Sequence, residues 1–159
     1  MTEWRDPQRI DQTEFDGDGN CYSACLAMLL NVSLSEVPNF NKVSADKGAR
    51  RVARLEWLKD MGWLPWGVWS PEVVASAAGK TVNEHQHWGR VEHPSHFPWP
   101  PSRGFYIASG LSPRNNRHST VYKDGSLWHD PHPDRTGLTV MDHVEFLRPL
   151  YPAGLQRIV

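Results

Sequence analysis

The sequence predicts an α+β fold in which helices from the first half of the chain pack on an antiparallel sheet built by the second half. Three observations carry this expectation. Residues 21–30, CYSACLAMLL, are apolar nearly all round, the pattern of a buried helix. Residues 46–61 repeat Val52, Leu55, Leu58 and Met61 every three positions, with Arg50, Arg51, Arg54 and Lys59 falling elsewhere, the pattern of an amphipathic helix. Past a proline-rich stretch the pattern changes to short strand-like runs, two of them joined by Asp124-Gly125, a strong hairpin signal.

Taken in order, the first helix is preceded by DGDGN, where Asp18 or Asn20 is expected to cap its start. Ser33 and Glu36 stand in capping-box spacing, but Pro38 limits the segment to about a turn. The helix over residues 46–61 is expected to end at Gly62, with its arginines on a solvated face. Ser70-Pro71-Glu72 reads as an N-cap followed by proline at the first helical position, and Gly79 marks the end of that helix. The segment HPSHFPWPPSR, residues 93–103, is a loop internal to the domain, because so many prolines suit neither a helix nor a central strand. Strands are expected at residues 104–109, 118–123, 126–130 and 143–148.

A length of 159 residues fits one domain spanning 1–159. A formal net charge of -1 gives neither a basic nucleic-acid footprint nor a disordered acidic tail, so no nucleic-acid partner is expected. The opening MTEWRDPQRI lacks the apolar core of a signal peptide, and no apolar run approaches the roughly 20 residues of a membrane span. A cytoplasmic location with no membrane partner is the expectation. The two cysteines, Cys21 and Cys25, are too few for a disulfide scaffold and fit a reducing compartment. Eight tryptophans are unusual for this length, and Trp63, Trp66, Trp69, Trp88 and Trp99 are candidates for a cleft wall as well as for core packing.

The chemistry centres on Cys21. A cysteine in the first turn of a buried helix sits where unpaired N–H groups and the helix dipole stabilise a thiolate, whereas Cys25, one turn inside the apolar run, reads as a small hydrophobe. His118 opens one expected strand, and Asp130 directly precedes Pro131 where the chain leaves the next. Thiol, imidazole and carboxylate in that order have the types needed for nucleophile, base and orienting group. A strict two-residue turn at Asp124-Gly125 would set Asp130 opposite Ser119, away from His118. Convergence therefore requires a three-residue loop with a bulge, or an Asp130 lying beyond the last strand pair.

These segments, GNCYSACLAMLL, RHSTVY and HDP, resemble the papain-like cysteine peptidases, especially the compact bacterial type that processes bacteriocin leader peptides, and small phage and bacterial proteins with GNC near the start and HDPHP near the end. The resemblance implies a papain-like fold, no cofactor, and a Cys21 nucleophile with His118 as base and Asp130 as its partner. It implies hydrolysis of a peptide, protein or small amide substrate through a thioester. It also implies a glutamine before the cysteine that donates to the oxyanion; the candidate is Gln12, whose nine-residue separation exceeds the family spacing unless the DGDG segment loops out. Asn20, Trp66 and Arg117 stand as candidate substrate-binding residues, Arg117 with Arg114 at the rim of the site.

Two other readings compete. His85, His87, His93, His96, His129 and His132, with Asp130 and Asp134, permit metal coordination, but their spacing matches no recurrent zinc signature, so no metal is expected. A non-catalytic protein of the same fold would capture a peptide or small molecule in a Trp-lined cleft. The fold hosts peptidases, deamidases, acyltransferases and isopeptidases alike, so the motifs do not choose the substrate.

Overall fold

The computed structural model describes residues 6–17, 19–78 and 99–150. Helix α1 (Cys21–Leu30) forms over the apolar stretch, and Ala24, Cys25, Leu26, Ala27 and Met28 are wholly buried on it. A single 3-10 turn (Leu34–Glu36) follows, closed by the Ser33 N–H and hydroxyl donating to Glu36 Oε2 at 2.8 and 2.6 Å. The short α2 (Phe40–Val43), absent from the sequence expectation, turns Phe40 into the core.

Helix α3 (Lys47–Asp60) starts at the Asp46 cap, whose carboxylate accepts from the Ala49 N–H at 2.7 Å, and ends before Gly62 at φ 83. Its inward face differs from the expected stripe. Leu58 is buried, yet Val52 and Met61 are 53% and 40% exposed. A three-residue interval falls short of the 3.6-residue turn, so Val52 and Met61 end about half a turn apart and cannot share a face. Leu55 is half-buried, as are Arg50, Arg51, Ala53, Arg54 and Trp57, so the inward face takes in Arg50, Arg54 and Trp57 beside Leu58. The arginines of this helix are therefore not all on a solvated face.

Strand β1 (Trp63–Trp69) comes next, then α4 (Pro71–Ala78), where the Ser70 hydroxyl accepts from the Val73 N–H at 3.3 Å. The remaining strands are β2 (Phe105–Leu111), β3 (Arg117–Lys123), β4 (Ser126–His129) and β5 (Val140–Pro149), close to the expected runs. They form one antiparallel sheet in the order β1-β5-β2-β3-β4. Helices and sheet make an α+β fold, with one departure from strict segregation. Strand β1, unanticipated because Pro65 and Gly67 interrupt it, lies in the first half, and an edge strand tolerates a proline that donates nothing to the ladder.

Helix α1 crosses β3 and β2, and the core between them joins Cys25, Leu26, Met28, Leu58, Ile107 and Val121. A second cluster of Val68, Tyr106, Ala108 and Val144 gathers Trp99 and Phe146. The β3–β4 turn has two residues, Asp124 and Gly125, both at positive φ (50 and 83), which suits the twist of a tight hairpin. Its register runs Lys123↔Ser126 and Tyr122↔Leu127, then jumps to Val121↔His129, leaving Trp128 as a bulge. Of the two expected arrangements the three-residue loop is not found; the turn has two residues, the shift comes from a bulge inside β4, and Asp130 lies beyond the last strand pair, as the other arrangement requires. Carried one residue further, the register sets Asp130 across from Thr120, in phase with His118. Opposite His118 lies Gly110, where a Cβ would stand 1.8 Å from the Val140 carbonyl oxygen, so the backbone of β5 closes on β2 only because that side chain is missing. Among the described residues no single helix is long and apolar enough to cross a membrane.

Candidate active site

Cys21 is the first residue of α1 and is 6% exposed. Asn20 occupies the cap position before it, yet its side chain makes no cap bond to the helix. Asn20 Oδ1 instead accepts from the N–H groups of Thr13 and Glu14, both at 3.0 Å, and its Nδ2 donates to Thr13 Oγ1 at 3.0 Å. The side chain expected to cap the helix is spent on holding the preceding segment, so the first-turn N–H groups beside Cys21 receive no cap from it. Asn20 is buried and lines neither depression described below, so it braces the site rather than facing a substrate. Asp18, the other expected cap, lies outside the described residues.

The His118 imidazole is bonded to a buried carboxylate and shares the lining of two depressions with Cys21. Its Nε2 is 2.7 Å from Asp130 Oδ1, and the neighbouring Cys21 thiol contributes to raising its pKa. Asp130 is 1% exposed and fully engaged: Oδ1 also accepts from the His132 N–H at 2.8 Å and Oδ2 from the Gly137 N–H at 2.7 Å. Burial acts to lower the His118 pKa, but the bonds to Asp130 and Cys21 outweigh it and carry it up to about 9. Burial acts to raise Asp130, and the hydrogen bonds it accepts hold it below the usual carboxylate range. The Cys25 thiol, wholly buried one turn away, is pushed well above its ordinary value, chiefly by desolvation and then by the charges of Cys21 and Asp130.

Cys21 and His118 line two depressions, a larger one of about 330 Å³ and a smaller one of about 140 Å³. One row across the sheet, Trp69↔His143↔Ser109↔Ser119, contributes to the lining of the larger. Its two serine hydroxyls are 2.9 Å apart. Gln12 lines the smaller. Its N–H donates to the Pro131 carbonyl at 2.9 Å, which ties it to the turn after Asp130, and its Nε2 donates to the Glu14 carbonyl at 2.9 Å. Before Cys21 the chain folds back on itself, with the Gly19 N–H donating to the Asp16 carbonyl at 3.0 Å. Gly19 sits at φ 53, and a Cβ there would meet the Glu14 oxygen at 2.8 Å and Gln12 Nε2 at 3.3 Å, so this fold-back requires glycine.

The remaining candidates separate. Arg117 lines both depressions and forms a two-pronged pair with Asp142. Arg114 is held by Asp134 and Thr136 and lines the smaller depression. Trp66 does not join the cleft: three residues from Trp69 on one strand, it points to the opposite face, against Phe146 and Arg148. Trp63 and Trp99 pack in the two cores, and Trp88 lies outside the described residues. His85, His87, His93 and His96 also lie outside them. His129 meets Asp11 and His132 meets Asp134, each at 2.9 Å, and among the described residues no group of three or more His, Cys, Asp or Glu is placed to hold a metal ion.

A cluster that the sequence reading missed stands beside the nucleophile. The Tyr22 hydroxyl donates to Glu145 Oε1, the Arg54 guanidinium lies 5.1 Å from the Tyr22 ring centre, and Arg54 Nη2 is 3.6 Å from Glu145 Oε2. Burial pushes the Tyr22 hydroxyl well above its ordinary pKa, so it remains a donor. The four-residue spacing of Arg50 and Arg54 was the available signal that this face of α3 turns inward. No protein-family model, curated protein or solved structure matches this chain.

Proposed function

We propose that this protein is a papain-like cysteine hydrolase that cleaves an amide, peptide or isopeptide bond. The observation that carries the reading is the 2.7 Å bond from His118 to the buried Asp130 carboxylate, with His118 and Cys21, the first residue of α1, lining the same two depressions. In this mechanism Nδ1 of His118 takes the thiol proton, and the sulfur attacks the substrate carbonyl carbon. The oxyanion that forms accepts from the Cys21 backbone N–H and from the N–H of the Gln12 amide that Glu14 leaves unused. The imidazolium then gives its proton to the leaving amine, and the thioester remains on Cys21. Water, deprotonated by His118, attacks the thioester and releases the acid product.

A histidine pKa of about 9 favours this sequence, because the ring keeps the proton from the thiol until the leaving group needs it. Asp130 is the positioning residue: with Oδ2 fixed by Gly137 and Oδ1 by His132, it orients Nε2 and so aims Nδ1 at the sulfur.

The test compares the two cysteines. A mild thiol alkylator should label Cys21 quickly and leave Cys25 untouched in the folded protein. Cys21→Ala should abolish turnover and Cys25→Ala should keep most of it. Labelling of Cys21 no faster than an unactivated thiol, or equal loss of turnover in both folded variants, would remove the reading.

A further inference from the structure

Five basic side chains, Lys47, Arg50, Arg51, Arg54 and Arg117, line the larger depression, and no carboxylate among the described residues lines it. Among the described residues Glu145 stands behind Arg54 and Asp142 behind Arg117, and Arg50 and Arg51 have partners as well, so the cleft is lined by cations that are held in place. The chain as a whole is almost neutral, at -1, so the positive lining belongs to this cleft and not to the surface at large. It arises because α3 turns its Arg50–Arg54 face toward the sheet rather than toward solvent. His143, in the same lining, has its pKa lowered, first by burial, with Arg54 and Arg117 contributing, so it adds no charge near neutrality. The Cys21 sulfur and the His118 ring open onto this same space.

We infer that the substrate is acidic beside its scissile bond, carrying a carboxylate that sits against the basic wall formed by α3 while its carbonyl reaches Cys21. This rests on the reading of Cys21 as nucleophile and names the substrate class for it. Guanidinium groups suit a carboxylate because their planar fork matches its two oxygens, and a partly enclosed cleft amplifies the attraction.

The experiment uses alkylators that differ only in charge, so it needs no knowledge of the natural substrate. Iodoacetate and iodoacetamide both transfer a two-carbon unit to sulfur with loss of iodide. The ratio of their rates at Cys21, read by mass spectrometry, measures the preference for an anion. The His118 imidazolium also attracts anions, so the share owed to the basic wall is read in variants. Lys47→Glu, at an exposed position, and Lys47→Glu with Arg51→Gln should lower the ratio stepwise, by about tenfold in the double variant, with the iodoacetamide rate little changed. An unchanged ratio in the folded single variant overturns the proposal.

Chloroacetyl-Glu amide against chloroacetyl-Gln amide, and chloroacetyl-Ala acid against chloroacetyl-Ala amide, separate a side-chain carboxylate from a terminal one. Faster labelling by either acid supports the proposal and identifies the source, and no preference in either pair overturns it. Slow labelling by every neutral reagent would instead remove the nucleophile assignment, while the charge ratio at Cys21 would still report on the wall.

Discussion

Two histidine–carboxylate pairs sit side by side at the end of β4, and they behave in opposite ways. His118 meets Asp130 at 2.7 Å and His129 meets Asp11 at 2.9 Å. Burial is the largest influence on both rings and lowers both. Even so, His118 is raised to about 9 while His129 is lowered. The difference lies in the third group. His118 is raised by the Cys21 thiol as well and has a carboxylate that is 1% exposed, whereas His129 faces the Arg135 guanidinium and an Asp11 side chain that is 53% exposed. A carboxylate alone does not make a strong base of a histidine. The company of the ring and the desolvation of its partner decide the outcome.

Removing the two carboxylates tests this contrast where the effect is largest. Asp130→Ala frees the His118 ring from its orienting bond and should lower kcat by about 10²–10⁴-fold, with a smaller change in KM. Asp11→Ala should leave kcat within about twofold, because the half-exposed pair it breaks lies outside the reacting groups. Equal losses in the two folded variants would mean that the pairs are not functionally distinct.

Titration gives the next effect. With His118 raised to about 9, the imidazolium persists through neutral pH and is lost as pH rises through that value, so kcat should fall on the alkaline side as the leaving amine loses its proton donor. His129 should titrate below the ordinary histidine value of about 6.5 without any change in rate. NMR of the two ring systems checks both. In Cys21→Ala, His118 should move down, because the thiol contributes to its elevation, while His129 stays in place. A high His118 pKa that survives loss of the sulfur would assign the whole elevation to Asp130.

The sequence foretold one side of this contrast and not the other. Helix α1 was legible because ten residues with almost no polar face leave only a buried helix. The hairpin was legible because Asp-Gly supports positive φ at both turn positions. The Cys21–His118–Asp130 order was therefore visible, and so was the need for a bulge or for an Asp130 beyond the last strand pair, but the residue that produces the shift was not. The shift depends on a bulge at Trp128, and nothing about a tryptophan in a four-residue strand marks it as the residue to be skipped. The partners of His129 were equally hidden, since Asp11 and Arg135 reach it from segments far apart in sequence. Strand β1 escaped because Pro65 reads as a breaker until its place at the sheet edge is known. The basic wall escaped for a different reason: a three-residue apolar spacing drifts around a 3.6-residue helix, so it marks no single face and leaves the arginines looking solvent-facing.

The smallest effect is the one that locates the boundary between the two pairs. Arg135, at φ 55, bridges them: its guanidinium pairs with both Asp11 oxygens, contacts His129 Nε2, and donates to the Asp130 backbone carbonyl. Arg135→Met removes a positive charge from beside His129, so that ring should become easier to protonate and its pKa should rise toward the ordinary value. The stability cost should stay within about 1 kcal/mol, because the Asp11–Arg135 pair is 53% and 43% exposed at its two ends and solvent screens it. His118 should not move, since Asp130 keeps its bonds from His132 and Gly137 when the bond to its backbone carbonyl is gone. A His118 resonance that shifts together with His129 in this variant would show that one charge network spans both pairs, and the different behaviour of the two rings would then need a cause other than their immediate neighbours.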